Sequence, residues 1–527
     1  MLKIPLHPYQ EDDVDWMCER GQLLLGYEMG TGKTIMVIAA IEHLFGTGEA
    51  DSALIIVPAA LRWQWAEAIA KVTDTGARSV VLKKTPVTVP DLEYCRVLDG
   101  TRTDWDELTD SRPDYMICSY EFAARNVEEI RHLAPDIVVC DEAQMIKSAG
   151  AARTKAIYKL NPYFRFACTG TPMDNGKPEE IFALMKWVDP SVFGRWDLFD
   201  QAYTRRNKYK RVIEYVNLDV LNRVLRTAMA RKTCEDPEVA ACMPKVRYSV
   251  RTVQLDPKSR ALYEMIAADL EDALAKLAEG GGSRSVDVAA VYHDKQTVDP
   301  RLGQVMARRT ALRMLLAHPQ LLRESAARYE AKAKKTDPGS AFCHGLDEQG
   351  LLTVWEAPKV AELYALSQQL LDPDPTVKIV VFTSYATMLP LLDAALGCFG
   401  PECYEGTMTA AARSAATARF SADPECRVLI ATDAGGSGLD LPAARYVINY
   451  DPPQGLGRYQ QRNARHRRAS STHPVVDVID LQVARSVDVH DYEVLRSSHY
   501  TAAAAVDGKQ APAGSRPSLR KHLATSQ

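Results

Sequence analysis

GYEMGTGKT, residues 26–34, follows the apolar run LLL (23–25) and leads into the apolar helical stretch TIMVIAAIEHLF (34–45). A glycine-rich turn between a buried strand and a helix is the setting a phosphate-binding loop needs. Gly30 and Gly32, on either side of Thr31, let the backbone turn its N–H groups toward phosphate oxygens. The N-terminus of the following helix adds partial positive charge. Lys33 can reach β- and γ-phosphates, and the Thr34 hydroxyl can ligate Mg²⁺. The pattern GxxxxGK[ST] is missed at one place, since Tyr27 stands where its first Gly belongs. The bland alternative is a glycine turn with a chance Lys-Thr; the flanking strand and helix favour the phosphate loop.

Working outward, ALIIVPA (53–59), YMICSY (115–120), DIVVCDEA (136–143) and FRFACTGTP (164–172) are near-continuous apolar runs separated by helical stretches. That alternation predicts a parallel sheet covered on both faces. A second alternation comprises KIVVFTS (378–384), CRVLIATD (426–433), ARYVINYD (444–451) and VVDVIDLQ (475–482). The predicted fold class is α/β. One parallel-sheet lobe spans 1–195, a helical insert 196–350, a second lobe 351–500 and a disordered tail 501–527. Two such lobes suggest a ligand held between them.

Asp141 and Glu142 end an apolar strand, where open α/β sheets bind ligands. Asp141 can hold Mg²⁺, and Glu142 can orient and deprotonate an attacking water. Thr169 and Thr171 follow the next strand, either as site hydroxyls or as an ordinary polar turn. In QQRNARHRR (460–468), helical in composition, Arg465 and Arg468 are three apart and so share a helix face. They suit arginine fingers, against the alternative of a solvated basic face. The loop in ATDAGGSGLDL (431–441), with Gly436 at its centre, could approach a ligand or a nucleic-acid phosphate, or be a plain βα connection. RRNKYKR (205–211) places Arg205, Arg206, Lys208, Lys210 and Arg211 around Asn207 and Tyr209. It fits contact with a nucleic-acid backbone and a solvated helix face equally. Trp63 and Trp65 could stack on bases, but packing is the commoner role within a helix.

Composition bounds the function. The 527 residues carry 64 Lys+Arg against 68 Asp+Glu, a net charge of −4, which excludes a globally basic coat protein but not a local basic track. No apolar run nears the ~18 residues of a membrane span, and MLKIPLHPYQEDDVDW lacks a signal-peptide core. Eleven cysteines without a CxxC pair fit a reducing compartment, hence a cytoplasmic protein.

The order of these motifs resembles the Snf-two (Swi/Snf-type) group of superfamily-two helicases, ATP-driven double-stranded DNA translocases, over residues 6–490. LHPYQ (6–10) with Asp15-Trp16 is similar to the family's Q motif, which would have Gln10 read the adenine. ALIIVPAALRWQWAEAI resembles motif Ia, MICSYE motif Ib, DEAQ (141–144) with IKS (146–148) motif II, and CTGTPMDN motif III. VVFTSY (380–385), AGGSGLDL and QRNARHRR resemble motifs IV, V and VI. The resemblance implies two RecA-like lobes with ATP in the cleft and DNA across both. It implies nucleotide contact at Gly436, coupling roles for Gln144, Thr169, Thr171, Asp440 and Gln461, and DNA contacts at Pro58, Ser119, Ser384 and Thr432. Gln144 stands where the family usually has His, and Asp440 where it usually has Asn. Gln454-Gly455-Leu456 replaces Trp-Asn-Pro, and Arg-Ala-Ser follows Arg468 instead of Ile-Gly-Gln. The expectation is a monomeric DNA-dependent ATPase of a bacterium or bacteriophage. A strand-separating DNA or RNA helicase and a nucleotide-gated DNA clamp with little turnover are the alternatives.

Overall fold

The strands form where short runs of β-branched and aliphatic residues can be buried on both faces. A computed structural model of the chain describes residues 2–73, 95–98, 105–208, 210, 212–279, 300–331, 338–433, 440–467 and 471–510. The strands of the first half are β1 (Gln22–Leu25), β2 (Ala53–Val57), β3 (Cys95–Val97), β4 (Tyr115–Ser119), β5 (Ile137–Asp141), β6 (Phe164–Cys168), β7 (Thr204–Arg206), β8 (Val212–Tyr215) and β9 (Met229–Ala230). Among the described residues, seven make one parallel sheet in the order β3-β4-β2-β5-β6-β1-β9, while β7 and β8 pair only with each other. Successive side chains go to opposite faces. Leu23, Leu25, Ile55 and Val57 join one hydrophobic cluster, and Leu24, Leu54 and Ile56 join the other. Helices α1 (Pro8–Arg20), α2 (Lys33–Thr47) and α3 (Arg62–Val72) pack on the first face. Because the strands run parallel, the chain leaves β1, β2, β4, β5 and β6 at one common edge, where every candidate site residue of this unit up to Thr171 lies.

The second unit repeats the plan. Its strands are β10 (Lys245–Val253), β11 (Ile379–Thr383), β12 (Glu402–Tyr404), β13 (Val428–Thr432), β14 (Tyr446–Asn449) and β15 (Val475–Val483), parallel in the order β10-β15-β14-β11-β13-β12. Ile379 and Val381 face one cluster, Val380 and Phe382 the other. Helices Pro257–Glu279, Pro300–Ala317, Gln320–Ala331 and Pro338–Glu348 bury a third cluster together with Val483 and Val487.

These boundaries differ from the expected ones. The first unit runs to Pro244, because β9 pairs with β1 at Leu24 and Leu25. Lys245–His466 belong to the second unit, where β10 pairs with β15 over nine residues. Among the described residues, the stretch expected as one insert, 196–350, is thus shared between the two units. Two residues are too few to show a period, and β10 is a largely exposed edge strand without an apolar run. Residues 501–510 are not a disordered tail either. Ala503–Asp507 forms a wide helical turn within the first unit, with Ala505 and Val506 in the same cluster as Leu221 and Leu225. Asn222 Nδ2 donates to the carbonyls of Ala505 and Val506 at 3.2 and 2.7 Å. An alanine-rich stretch looks featureless as sequence, but small side chains allow this close approach. The remainder of the expected tail, 511–527, lies outside the described residues. Among the described residues no helix is long and apolar enough to cross a membrane.

Candidate nucleotide site

The phosphate loop is shaped by two glycines in the left-handed region, Gly30 at φ +84° and Gly32 at φ +89°. A Cβ on Gly32 would lie 2.5 Å from Gln10 Nε2 and push that side chain off its bonds, while the positive φ itself favours glycine. Gln10, buried in the first turn of α1, accepts from the His7 N–H at 2.9 Å and donates to the Thr31 carbonyl at 2.9 Å. The structure thus uses Gln10 to brace the loop. Lys33 Nζ donates to the carbonyls of Tyr27 and Glu28 at 2.9 and 3.0 Å. The missing first glycine also finds its reason. Tyr27 needs no positive φ, and its side chain is fully buried, with its hydroxyl 3.1 Å from the Tyr9 carbonyl and bonded to Asp13. It anchors α1 instead of crowding the loop. The left-handed glycines, the start of α2 at Lys33 and the carboxylate of Asp141 fit a nucleoside triphosphate with Mg²⁺. Lys33 would lie on the phosphates, with Thr34 and Asp141 holding the metal.

Asp141 ends β5 and is held from three sides. Its Oδ1 accepts the Glu142 N–H at 2.9 Å, its Oδ2 accepts the Trp65 indole N–H at 2.8 Å, and its carbonyl accepts the Tyr120 hydroxyl at 2.8 Å. Burial, with the neighbouring Glu142 carboxylate, pushes the Asp141 carboxyl up to about 6, although Trp65, the Glu142 N–H and Lys33 oppose the rise. Glu142 takes a left-handed φ of +49°, the kind of strained conformation that gathers at functional sites. From it a continuous chain of hydrogen bonds runs to the end of β6. Gln144 Nε2 donates to Glu142 Oε2 at 2.7 Å, and Thr169 Oγ1 donates to Gln144 Oε1 at 2.7 Å. Thr169 Oγ1 in turn accepts the Thr171 N–H at 3.0 Å. A glutamine can donate and accept at once and stays neutral at any pH, which suits it to this link in place of a histidine.

A second buried carboxylate lies behind the site, outside the sequence expectations. Glu180 accepts the backbone N–H of Asn175 at 2.8 Å and its side-chain amide at 2.5 Å, with Lys147 Nζ at 3.9 Å and itself paired to Asp174. Burial outweighs Lys147 and pushes Glu180 up to about 7 from its ordinary 4.5. The folded state therefore keeps a proton there that the unfolded chain has already lost, and stability falls as pH rises from 4.5 to 7. At 1.36 kcal/mol per pH unit the loss is about 3 kcal/mol. Glu180→Gln should remove that slope in urea unfolding between pH 5 and pH 8. An unchanged slope would mean Glu180 stays ionised throughout.

In the second unit the structure corrects the expected arginine pair. The helix Leu456–Asn463 ends before Arg465, so the shared helix face does not exist there. Arg465 is buried in the following turn, its carbonyl accepting the Leu441 N–H at 3.0 Å. Arg468 and Gly436 lie outside the described residues. Gln461 is on the helix and half-buried, and Asp440 is exposed. The residue missed in the sequence is Arg462, only 2% exposed. Its Nε donates to Asp433 Oδ1 at 2.6 Å, its Nη1 to the Asp451 carbonyl at 2.8 Å and its Nη2 to Ser384 Oγ at 3.1 Å. Asp451 also accepts the Thr383 hydroxyl at 2.6 Å and the Ser384 N–H at 2.9 Å. One guanidinium thus ties the ends of β11 and β13 to the basic helix. Five donors in a rigid fork suit arginine to this junction.

The DNA candidates divide. Pro58 and Ser384 are half-buried and Thr432 is buried at the end of β13. Ser119 Oγ is used locally, accepting the Phe122 N–H at 3.1 Å as the cap of the helix Tyr120–Arg125. The basic run is a β7–β8 hairpin, not a helix face. Arg206 is bound by both oxygens of Asp200 and Arg205 lies 3.5 Å from Glu214, while Lys208 and Lys210 are exposed. Tyr209 and Arg211 fall outside the described residues.

Known proteins share the two α/β units. Residues 9–321 match the SNF2-related domain, and residues 362–470 the helicase conserved C-terminal domain. The chain belongs to the SNF2-related family. It has the two parallel-sheet units of an SNF2-type helicase-like ATPase core. The putative ATP-dependent helicase/translocase YwqA of Bacillus subtilis is 23% identical over 460 residues, covering 85% of this chain and 43% of that protein. The ISWI chromatin-remodeling complex ATPase ISW2 of Saccharomyces cerevisiae is 26% identical over 271 residues, covering 50% of this chain and 23% of that one. The chain thus spans under half the length of these relatives. The Hef helicase domain of Pyrococcus furiosus shares the fold with a TM-score of 0.54 at 17% identity, covering 93% of this chain and 98% of that chain.

Proposed function

We propose that this SNF2-related protein is a DNA-dependent ATPase. As a monomer it would translocate on double-stranded DNA and remodel DNA or protein–DNA complexes in replication, recombination or repair. The observation that carries this reading is the hydrogen-bonded chain Glu142–Gln144–Thr169–Thr171 beside the phosphate loop. Glu142 accepts the proton of the attacking water, and Gln144 aims its carboxylate. Lys33 exchanges the carbonyls of Tyr27 and Glu28 for phosphate oxygens. Mg²⁺, when held by Asp141 and Thr34, supplies charge that offsets the developing negative phosphate oxygens. Arg465 and Arg468 keep their proposed role, stabilising the transferring phosphoryl group, on the family resemblance alone and no longer on a shared helix face. A proton or charge change at Glu142 reaches Thr169 through Gln144, a route from the chemistry to the strand edge.

The names of the relatives, a helicase/translocase and a chromatin-remodeling ATPase, support motion along DNA. Ser384, Thr432, Lys208 and Lys210 are the proposed phosphate contacts, while Ser119 and Pro58, the latter with no N–H to donate, are the proposed DNA contacts at the first unit's strand edge. Contacts of that kind read no sequence and weaken with salt. Displacement of a triplex-forming strand without unwinding of a forked duplex is the expected result. Unwinding of the fork without triplex displacement would make the protein a strand-separating helicase instead.

A further inference from the structure

Asp141 is touched by two elements that no motif assignment connects to it. Trp65, 3% exposed, lies on the first turn of α3, seven residues after Pro58 at the end of β2, and its indole N–H reaches the Asp141 carboxylate at 2.8 Å. Tyr120, fully buried, directly follows Ser119 at the end of β4, and its hydroxyl reaches the Asp141 carbonyl at 2.8 Å. Pro58 and Ser119 are the two DNA-contact candidates of this unit's sheet edge. Ser119 caps the helix that Tyr120 begins, and Pro58 starts the turn Ala59–Leu61 that runs directly into α3 and Trp65, so both strand ends lead to a side chain bonded to one residue, the aspartate that would hold the metal.

Neither bond is needed for packing. Phenylalanine fills nearly the same space as Tyr120; at Trp65 it is smaller than the indole and leaves part of its volume empty, a cost that Trp187→Phe carries as well. What the indole N–H and the phenolic O–H add is direction: one fixes the Asp141 side chain, the other its backbone. A rotation or shift at the start of α3 or of the helix Tyr120–Arg125 must move a bond to Asp141 or break it. Coupling between sites requires such a contiguous element with differential contacts in the two states.

We propose that Trp65 and Tyr120 are positioning residues that carry DNA occupancy of this unit to the nucleotide site through Asp141. The inference rests on the DNA-dependent ATPase reading and names the route by which DNA would act. Coupling is reciprocal, so it is measurable without turnover as a change in nucleotide affinity.

The experiment is an equilibrium titration of the full chain with a fluorescent non-hydrolysable ATP analogue and Mg²⁺, with and without a short DNA duplex. Wild type should show a duplex-induced change in analogue affinity of about fivefold or more. Trp65→Phe and Tyr120→Phe should each bring that ratio toward one while duplex affinity, measured alone by anisotropy, stays at the wild-type value. Trp187→Phe is the control. It removes another buried indole bond, 2.8 Å to the Leu160 carbonyl in the same unit, and should keep the wild-type ratio. A wild-type ratio in both Trp65→Phe and Tyr120→Phe would overturn the route. A loss of ratio in Trp187→Phe as well, or a loss of duplex binding in the two test variants, would reduce the bonds to a structural role and overturn it too. A ratio of one in wild type would overturn the route, whereas the DNA-dependent reading itself fails only if duplex leaves the rate of phosphate release unchanged.

Discussion

Glu142→Gln should lower ATP turnover by about 10²–10⁴-fold, the range for loss of a positioned general base, while nucleotide affinity stays within a few-fold of wild type. The substitution is nearly isosteric and keeps an oxygen to accept the Gln144 amide now 2.7 Å away. It takes away only the capacity to accept a proton. The strained φ of +49° at Glu142 is retained by either residue, so the effect should fall on the rate and not on folding. Single-turnover phosphate release alongside analogue binding separates the two. Turnover within threefold of wild type would show that the base is another group.

Arg462→Met should destabilise the second unit by about 3–5 kcal/mol, the usual cost of removing one partner from a buried ion pair. Methionine replaces much of the aliphatic bulk but takes the guanidinium away from Asp433 and Asp451. Asp433 Oδ2 has no hydrogen-bond partner and would keep only the partly exposed Arg458, 3.9 Å away. Lysine at the same place keeps the charge but cannot hold Asp433, the Asp451 carbonyl and Ser384 together, and should recover only part of the loss. Urea unfolding of the three proteins measures this. A loss below about 1 kcal/mol in Arg462→Met would mean the two carboxylates find water or protons at little cost.

How far these features can be read from sequence depends on what the physics leaves visible. β2, β4, β5 and β6 are buried on both faces, and that burial writes itself as an unbroken apolar run. β9 has two residues and β10 is an exposed edge, so neither leaves such a trace, and the unit boundary at Pro244 was hidden with them. The phosphate loop and Asp141-Glu142 were legible because their chemistry needs particular residue types in a fixed local order. Gln144 with Thr169 was legible only through family resemblance, since the bond spans 25 positions. Arg462 and Arg465 are a different case. Inside QRNARHRR every arginine looks alike, and only the end of the helix at Asn463 decides which guanidinium is turned inward. The two tryptophans of α3 make the same point. Trp63 is half-buried and Trp65 is buried on Asp141, a distinction set by how α3 lies on the sheet and not by its own sequence.

If this chain turns over ATP in response to DNA, the rate of phosphate release from Mg²⁺-ATP with and without duplex DNA, for wild type and Lys33→Ala, will show it. Duplex DNA should raise the wild-type rate at least severalfold and added salt lower it again, with no turnover above background in Lys33→Ala. Equal wild-type rates with and without duplex, or full turnover in Lys33→Ala, would contradict this reading.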